Sequence, residues 1–192
     1  KTFNFFKVNY KKENFYHLVL SPFSLRNKIN LLIDNEIKNA KAGKNAWIYI
    51  KLNNLSDNEI IEKLYEASSA GVNIKLIIRG MMSLVTGIKD VSENIKAIGI
   101  VDKFLEHSRF LIFCNNDDEE CYISSADLMP RNIDHRIEVT CPIFDNNIKA
   151  ELKKIFLIQW NDNVKARKLD ANLSNKFVKS GKKANRSQLE VY

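Results

Sequence analysis

The sequence predicts an α/β fold in which a mixed sheet is covered by helices on both faces. Short apolar runs alternate with amphipathic helical patterns over residues 15–78, which is typical of strands connected by helices. Residues 105–142 contain short apolar runs joined by polar turns, which indicate a hairpin and a third strand. A last helical pattern covers Asn146–Trp160.

The first half of the chain reads as strand, helix, strand, helix, strand. The strands are predicted over Phe15–Leu20, Ala46–Leu52 and Val72–Ile78. This order predicts a parallel sheet with right-handed crossovers. Ligands bind at the carboxyl ends of such strands, where Asn53, Asn54 and Arg79 lie by sequence alone.

Two amphipathic helices connect these strands. Ser21 is predicted to cap the first helix, with Pro22 at its first position and Gly43 just past its end. Its apolar face is Leu25, Ile29, Leu32, Ile33, Ile37 and Ala40. Ser56 or Asp57 is predicted to cap the second helix, which closes at Gly71. Its apolar face is Ile60, Ile61, Leu64 and Ala67.

The second half continues with a loop over Gly80–Glu93 and a strand over Asn94–Val101. Three further strands are predicted at Phe110–Phe113, Cys121–Ile123 and Ile137–Cys141. An acidic turn, residues 115–120, joins the first two of these. In the last helix, the faces are marked by Ile148, Leu152, Ile155, Phe156 and Gln159.

The composition predicts one domain, or one domain with an appendage, that is large enough to bury a core. No apolar run approaches the roughly 20 residues that span a bilayer, and the first residues lack a signal-peptide pattern. Three cysteines without metal-ligand spacing favour buried free thiols in a reducing cytosol. The chain starts without Met, and we expect it to be part of a longer protein.

The positive charge is concentrated at the C-terminal end. Of the net charge of +7, residues 161–192 carry +5, from eight Lys/Arg against three Asp/Glu. Such a segment suits a polyanionic partner, and it is equally consistent with a solvated terminus.

Polar side chains gather around the predicted strands of residues 105–142. His107 and Arg109 are separated by one residue, so on a strand both side chains point to the same face. Hydroxyls, carboxylates and further donors follow at Ser124, Ser125, Asp127, Arg131, Asn132 and Glu138. The chain has no Gly-rich phosphate loop and no zinc-type Cys/His cluster. The group of residues is typical of a phosphate site, and without such a loop the site has to bind phosphate through side-chain cations.

Each of these residues also has a structural interpretation. An isolated histidine at a strand end is more often satisfied by its surroundings than functional, although Arg109 beside it needs an anion. Arg79 is equally consistent with an exposed loop cation. Asp127 and Glu138 can position His107 or the arginines, or form ion pairs across the hairpin.

Several motifs occur in order along the chain. They are S-P-F-S-L-R at 21–26, K-L-N-N-L at 51–55, L-Y-E-A-S-S-A-G-V at 64–72, R-G at 79–80, L-E-H-S-R at 105–109, S-S-A-D-L-M-P-R-N at 124–132, R-I-E-V at 136–139, D-N-V-K-A-R at 162–167 and L-S-N at 173–175. H-x-R followed by the Ser-rich turn resembles the phospholipase D superfamily. The whole set resembles the last domain of the bacterial polyphosphate kinases, which move phosphate between ATP and inorganic polyphosphate.

The resemblance implies a phospholipase D-like domain, the second of a facing pair. The histidine that becomes phosphorylated would lie on the preceding domain, outside this chain. His107 would line the nucleotide site and assist that phosphorylation, and Arg79 would bind the ATP phosphates. Arg109 would be a supporting cation. The remaining residues would support this arrangement: Ser124, Ser125, Asp127, Arg131, Asn132 and Glu138.

The same resemblance implies ATP or ADP as the nucleotide and Mg²⁺ held by ligands outside this chain, so no metal site is placed here. The expected partners are inorganic polyphosphate, the remaining domains of the same polypeptide and further copies in a homo-oligomer, with no nucleic acid. The expected location is cytoplasmic, with membrane association of the full enzyme left open. The domain is expected over 1–161 with a basic extension over 162–192, and the isolated chain is expected to be inactive.

Two other classes compete with this interpretation. A phospholipase D-type phosphodiesterase half-domain would share the fold. Against it, Arg109 replaces the Lys of H-x-K, Cys114 stands where that superfamily has Asp, and Asp127 stands in place of the usual Asn. A non-catalytic polyanion- or nucleic-acid-binding module suits a pI near 9.2, but it does not explain the H-x-R and S-S-A-D motifs.

Overall fold

The computed structural model describes residues 15–181 and 183–191. Its strands are β1 (Val19–Ser21), β2 (Trp47–Leu52), β3 (Asn73–Ile78), β4 (Ile95–Ile100), β5 (Phe110–Phe113), β6 (Glu120–Ser124), β7 (Glu138–Ile143) and β8 (Ala166–Lys168). Its α-helices are α1 (Leu25–Lys41), α2 (Asn58–Ser69), α3 (Asn146–Trp160) and α4 (Ser187–Glu190). A 3₁₀ turn at Asn115–Asp117 and a π-helical turn at Arg131–His135 complete the regular structure of this part.

All eight strands of the described chain form one sheet in the order β1-β7-β6-β5-β2-β3-β4-β8. The strands β2, β3 and β4 are parallel neighbours, and the other pairs are antiparallel. The predicted mixed α/β sheet is therefore confirmed. β1 nevertheless pairs with β7, and three strands separate it from β2. The prediction of one continuous parallel β-α-β-α-β sheet is wrong for β1, because element order does not determine which strands become neighbours.

The start of α1 also differs from the prediction. The helix begins at Leu25, and the Ser21–Pro22 peptide is cis and lies before it. The backbone N–H groups of Phe23 and Ser24 donate to the carbonyl oxygen of Leu20, at 3.1 and 2.8 Å. This turn keeps Ser21 and Pro22 out of the helix, so their assignment as cap and first helical residue is wrong.

Helices cover both faces of the sheet, as predicted. α1 and α2 pack their apolar faces against one side, with Ile50 and Leu76 among the fully buried strand residues there. On the other side, α3 packs Phe156 against Phe110 and Ile112. Ile148, predicted to mark a face of α3, is largely exposed. Buried apolar layers therefore lie on both faces of the strands whose ends carry the polar side chains.

The chain after α3 continues into the same sheet. β8 pairs antiparallel with β4 and is itself the last strand of the sheet, and its Ala166 is fully buried. The buried carboxylate of Asp162 supports this connection by accepting hydrogen bonds from the backbone N–H of Val164, Lys165 and Ala166. The basic C-terminal segment is therefore packed on the domain at its buried residues Asp162, Ala166, Ser187 and Gln188.

The cysteines follow the prediction in part. All three are free, Cys114 and Cys121 are buried, and Cys141 is half-buried. Burial raises the pKa of the Cys121 thiol to about 11. In the described part of the chain, no helix has both the length and the apolar composition that crossing a bilayer requires.

Asp57 both caps α2 and forms an ion pair with Arg26 of α1. Substituting it therefore tests how much these two interactions stabilise the domain. Its Oδ1 accepts from the backbone N–H of Ile60 at 3.1 Å, and Arg26 donates to both carboxylate oxygens, at 2.7 and 2.9 Å. Asp57→Ala is expected to lower the free energy of unfolding by about 1–2 kcal/mol, measured by urea unfolding.

Asp57→Asn provides the matched control, because asparagine is also a good cap but removes the charge pairing with Arg26. We expect it to lose less stability than the alanine variant. Equal losses in the two variants would show that the cap contributes nothing.

Candidate functional site

The ends of four strands bring the predicted polar residues to one edge of the sheet. Leu52 pairs with Ile78 in parallel strands, so the residues that follow β2 and β3 leave the sheet at the same edge. β5 runs antiparallel to β2, with Phe110 opposite Lys51, and therefore starts at this edge. β6 ends there, since Phe110 also lies opposite Ile123. We call this edge, with the residues described below, the phosphate edge.

The carboxylate of Asp127 lies at the centre of the phosphate edge. It is buried, and its Oδ1 accepts hydrogen bonds from the backbone N–H of Asn53 at 2.9 Å and of Asn54 at 3.1 Å. Arg109 donates through Nε to the same oxygen at 2.9 Å. Burial alone would raise the pKa of Asp127, but the bonds from Arg109, Asn54 and Asn53 outweigh burial and lower it. The carboxylate is therefore ionised at neutral pH.

Arg109 connects this carboxylate to His107. Its Nη2 lies 3.2 Å from Nε2 of His107, and its Nη1 donates to the His107 carbonyl oxygen at 3.2 Å. A guanidinium can only donate, so Nε2 has to accept, which places the ring proton of a neutral imidazole on Nδ1. Arg109 thus orients an exposed imidazole whose Nδ1–H can donate to a ligand.

Arg79 differs from Arg109 in how its charge is balanced. Its Nε donates to Oδ1 of Asn53, a neutral partner. It forms no ion pair with any described residue, whereas Arg109 is paired with Asp127. Since a half-buried guanidinium without a carboxylate favours an anionic ligand, Arg79 is the cation of this edge that is available to pair with an anion.

Gly80 allows the turn after β3 to approach the residues that follow β2. A Cβ at this position would lie 2.6 Å from Oδ1 of Asn54 and 2.8 Å from the carbonyl oxygen of Asn53, too close for any side chain. The same Oδ1 of Asn54 accepts from the backbone N–H of Met81 at 2.9 Å. The turn after β3 is therefore bound closely to the end of β2.

The remaining predicted residues form a separate group. Glu138 accepts from Nδ2 of Asn132 at 2.8 Å and from the hydroxyl of Ser125. The hydroxyl of Ser124 bonds instead to Thr140 of β7, at 2.7 Å. Arg131 is exposed at the start of the π-helical turn. None of the side-chain hydrogen bonds of this group reaches the Asp127, Arg109 and His107 cluster, so the structure brings only part of the predicted set together.

Sequence reasoning missed Lys51, which is buried beneath the phosphate edge. Its Nζ donates to Oγ of Ser108 at 2.9 Å and lies 3.7 Å from Oε2 of Glu106. Burial lowers the pKa of Lys51 to about 8; Glu106 opposes this shift, and the positive charges of Arg79 and Arg109 add to it. A lysine inside the apolar run W-I-Y-I-K-L was the available signal.

The charges of this edge favour a polyanion. Three cations, Lys51, Arg79 and Arg109, stand against two carboxylates, Asp127 and Glu106, which leaves one positive charge in excess. The described residues contain no group of three or more His, Cys, Asp and Glu that could hold a metal ion. A rigid guanidinium and an oriented imidazole are suited to phosphate oxygens.

Comparison with known proteins decides the family. The family model for polyphosphate kinase C-terminal domain 2 matches residues 18–188. The chain belongs to the polyphosphate kinase family. The polyphosphate kinase of Vibrio parahaemolyticus is 52% identical over 191 residues, and that of Escherichia coli K12 is 44% identical over 193 residues. The alignments cover 99% and 100% of this chain but only 27% and 28% of those relatives, so the chain corresponds to one part of a polyphosphate kinase.

Solved structures agree with this assignment. A polyphosphate kinase from Porphyromonas gingivalis superposes with a TM-score of 0.95 at 38% identity, over 100% of this chain and 30% of that one. Nuc of Salmonella typhimurium, a phospholipase D family member, superposes with a TM-score of 0.59 at 16% identity, over 80% of this chain and 96% of that one. The phospholipase D-like fold predicted from H-x-R is thereby confirmed, and at this identity the likeness to Nuc concerns the fold alone.

Proposed function

We propose that this domain supplies the nucleotide- and phosphate-binding side of a polyphosphate kinase active site. There the γ-phosphate of ATP would be transferred reversibly to inorganic polyphosphate through a phosphohistidine on the preceding domain. The observation that carries the proposal is the uncompensated charge of Arg79 beside the Asp127–Arg109–His107 chain, in a member of this family.

Each group has a distinct task in this proposal. Phosphoryl transfer depends mostly on positioning and on neutralising the charge of the transferred group, with attacking and leaving oxygens in line. Arg79 would hold the terminal phosphates, and His107 would donate through Nδ1–H to an oxygen of the transferred or leaving group. Arg109 is already paired with Asp127, so its task is to orient His107 rather than to bind phosphate.

In the first half-reaction, the bond between the γ-phosphorus and the ADP oxygen breaks while a bond from that phosphorus to the histidine nitrogen forms. In the second, the terminal oxygen of polyphosphate takes the phosphoryl group from the histidine. Mg²⁺ would accompany the nucleotide and be held outside this chain, and no step described above is assigned to it. The supporting residues Ser124, Ser125, Arg131, Asn132 and Glu138 would shape the neighbouring loops.

The wider setting belongs to the same proposal. The remaining domains of the polypeptide would close the site from the opposite side, in a cytoplasmic homo-oligomer. The boundary between a domain over 1–161 and a basic extension over 162–192 remains a prediction.

The test uses the full-length parent enzyme with Arg79→Ala and His107→Ala. Incubation with γ-labelled ATP and Mg²⁺ is expected to show a loss of roughly tenfold to a hundredfold in acid-labile protein phosphate and in polyphosphate, because charge stabilisation of the transferred group is removed. Lys44→Ala removes an exposed cation before β2, at the opposite edge of the sheet, and serves as the control. Wild-type rates in both site variants would show that the two residues are structural.

A further inference from the structure

The segment that carries His107 has no regular secondary structure. It runs from the end of β4 to the start of β5, over residues 101–109, and most of its residues are exposed. The order of such a segment depends on its contacts with other parts of the chain. The contacts of this segment therefore decide how firmly His107 is presented.

A single buried side chain of the C-terminal segment binds both backbone groups of Phe104. Oε1 of Gln188 accepts from the N–H of Phe104 at 2.7 Å, and Nε2 of Gln188 donates to the Phe104 carbonyl oxygen at 2.8 Å. Gln188 lies in α4 and is only 2% exposed. Its amide thus acts like the backbone of a neighbouring strand, three residues before His107.

Ser187, the residue before Gln188, anchors α4 to the domain. Arg186, one residue earlier, binds the segment that carries His107. The backbone N–H and the hydroxyl of Ser187 donate to Oδ2 of the buried Asp162, at 2.8 and 2.7 Å. Arg186 forms a two-pronged ion pair with Asp102, with Nε to Oδ2 at 2.8 Å and Nη2 to Oδ1 at 2.6 Å. A two-pronged arginine–carboxylate pair restricts direction as well as distance.

Two further contacts continue this series towards the phosphate edge. Gln159 of α3 donates to Glu106 at 3.1 Å, and Lys51 of β2 donates to Ser108 at 2.9 Å. Alternate residues of the segment are therefore bound: Asp102, Phe104, Glu106 and Ser108. His107 lies between Glu106 and Ser108. Two of the four bound residues, Asp102 and Phe104, are held by Arg186 and Gln188 of the C-terminal segment.

We propose that the C-terminal segment positions His107 for phosphate binding, with Gln188 and Arg186 as its positioning residues. The inference rests on the proposed function, because it assigns His107 to a phosphate ligand. A free segment would lose conformational entropy each time a ligand ordered it, so holding it in advance increases affinity. Arg186 then acts through its specific contact rather than as a free cation, since its charge is already paired with Asp102.

The test compares Gln188→Leu with Ser187→Ala in the full-length parent enzyme. Both variants remove side-chain hydrogen bonds of α4, but only the first removes the two bonds to the backbone of Phe104. Hydrogen exchange at the Phe104 amide and tripolyphosphate binding by calorimetry are measured well below the melting temperature of each variant. In Gln188→Leu we expect about tenfold faster exchange and about fivefold weaker binding. In Ser187→Ala we expect a lower melting temperature, whereas the exchange rate of the Phe104 amide and the tripolyphosphate affinity stay close to wild type.

Three results would overturn the inference, and they can be told apart. Faster exchange with unchanged tripolyphosphate affinity in Gln188→Leu would mean that the contact does not position the site. Equal losses of affinity in both variants would mean that α4 contributes only general stability. A wild-type enzyme that binds no tripolyphosphate would refute the proposed phosphate site itself, together with the inference that depends on it.

Discussion

Asp127→Asn is expected to lower the free energy of unfolding by about 3–5 kcal/mol, and the melting temperature by roughly 6–20 °C. The carboxylate is buried and paired with Arg109, and it also accepts from the backbone N–H groups of Asn53 and Asn54. An asparagine leaves the guanidinium without its counter-ion, and it offers one acceptor oxygen in place of two. Thermal unfolding followed by circular dichroism measures the difference.

Asp118→Asn is the matched control, because it makes the same chemical change at an exposed position of the turn after β5. We expect it to stay within about 0.5 kcal/mol of wild type. The lowered pKa of Asp127 adds a second signature: its stabilisation is present at neutral pH and is lost as the pH falls through the folded-state pKa. A melting temperature for Asp127→Asn within about 2 °C of wild type would contradict its central role.

Lys51→Met is expected to change the pH dependence of stability above pH 8. Burial lowers the pKa of Lys51 from 10.5 to about 8, so between these values the unfolded chain binds more protons than the folded one. Stability of the wild type should therefore rise with pH in this window, by up to about 3 kcal/mol relative to Lys51→Met. Urea unfolding of both proteins at intervals from pH 7 to pH 10.5 measures this difference.

The comparison needs a control for net charge. Lys96→Met removes an equivalent charge from an exposed position of β4, and its pH profile is subtracted from that of Lys51→Met. A difference between wild type and Lys51→Met that stays constant across the window would show that Lys51 is not desolvated in the folded state. The ionised lysine beneath the phosphate edge would then be more accessible than its burial indicates.

Local patterns predicted the elements whose signals are local. The bounds of β5 and α3 agree with the predicted Phe110–Phe113 and Asn146–Trp160, because continuous apolar runs and helical periods are carried by neighbouring residues. The cap of α2 was predicted as Ser56 or Asp57, and the structure selects Asp57. The position of β1 beside β7 was not predictable, because it depends on a pairing about 120 residues apart in the chain.

The sequence predicted which residue types form the candidate site better than it predicted which of them are hydrogen-bonded to one another. His107, Arg109 and Asp127 lie in one hydrogen-bonded group, with Arg79 bonded to Asn53 beside it. The supporting group around Glu138 is separate from it. Lys51 and Gln188 were missed because a buried lysine in a strand and a glutamine in a basic terminus acquire partners only when distant segments pack together.

The sequence by itself determined the family, the mixed α/β fold and the kinds of group available for phosphate. Only the tertiary structure decided how the charges are shared. Two arginines that look equivalent in sequence differ because Arg109 reaches the carboxylate of Asp127, whereas Arg79 reaches the neutral amide of Asn53. Electrostatic compensation depends on distances of a few ångström between residues far apart in the chain, and packing sets those distances.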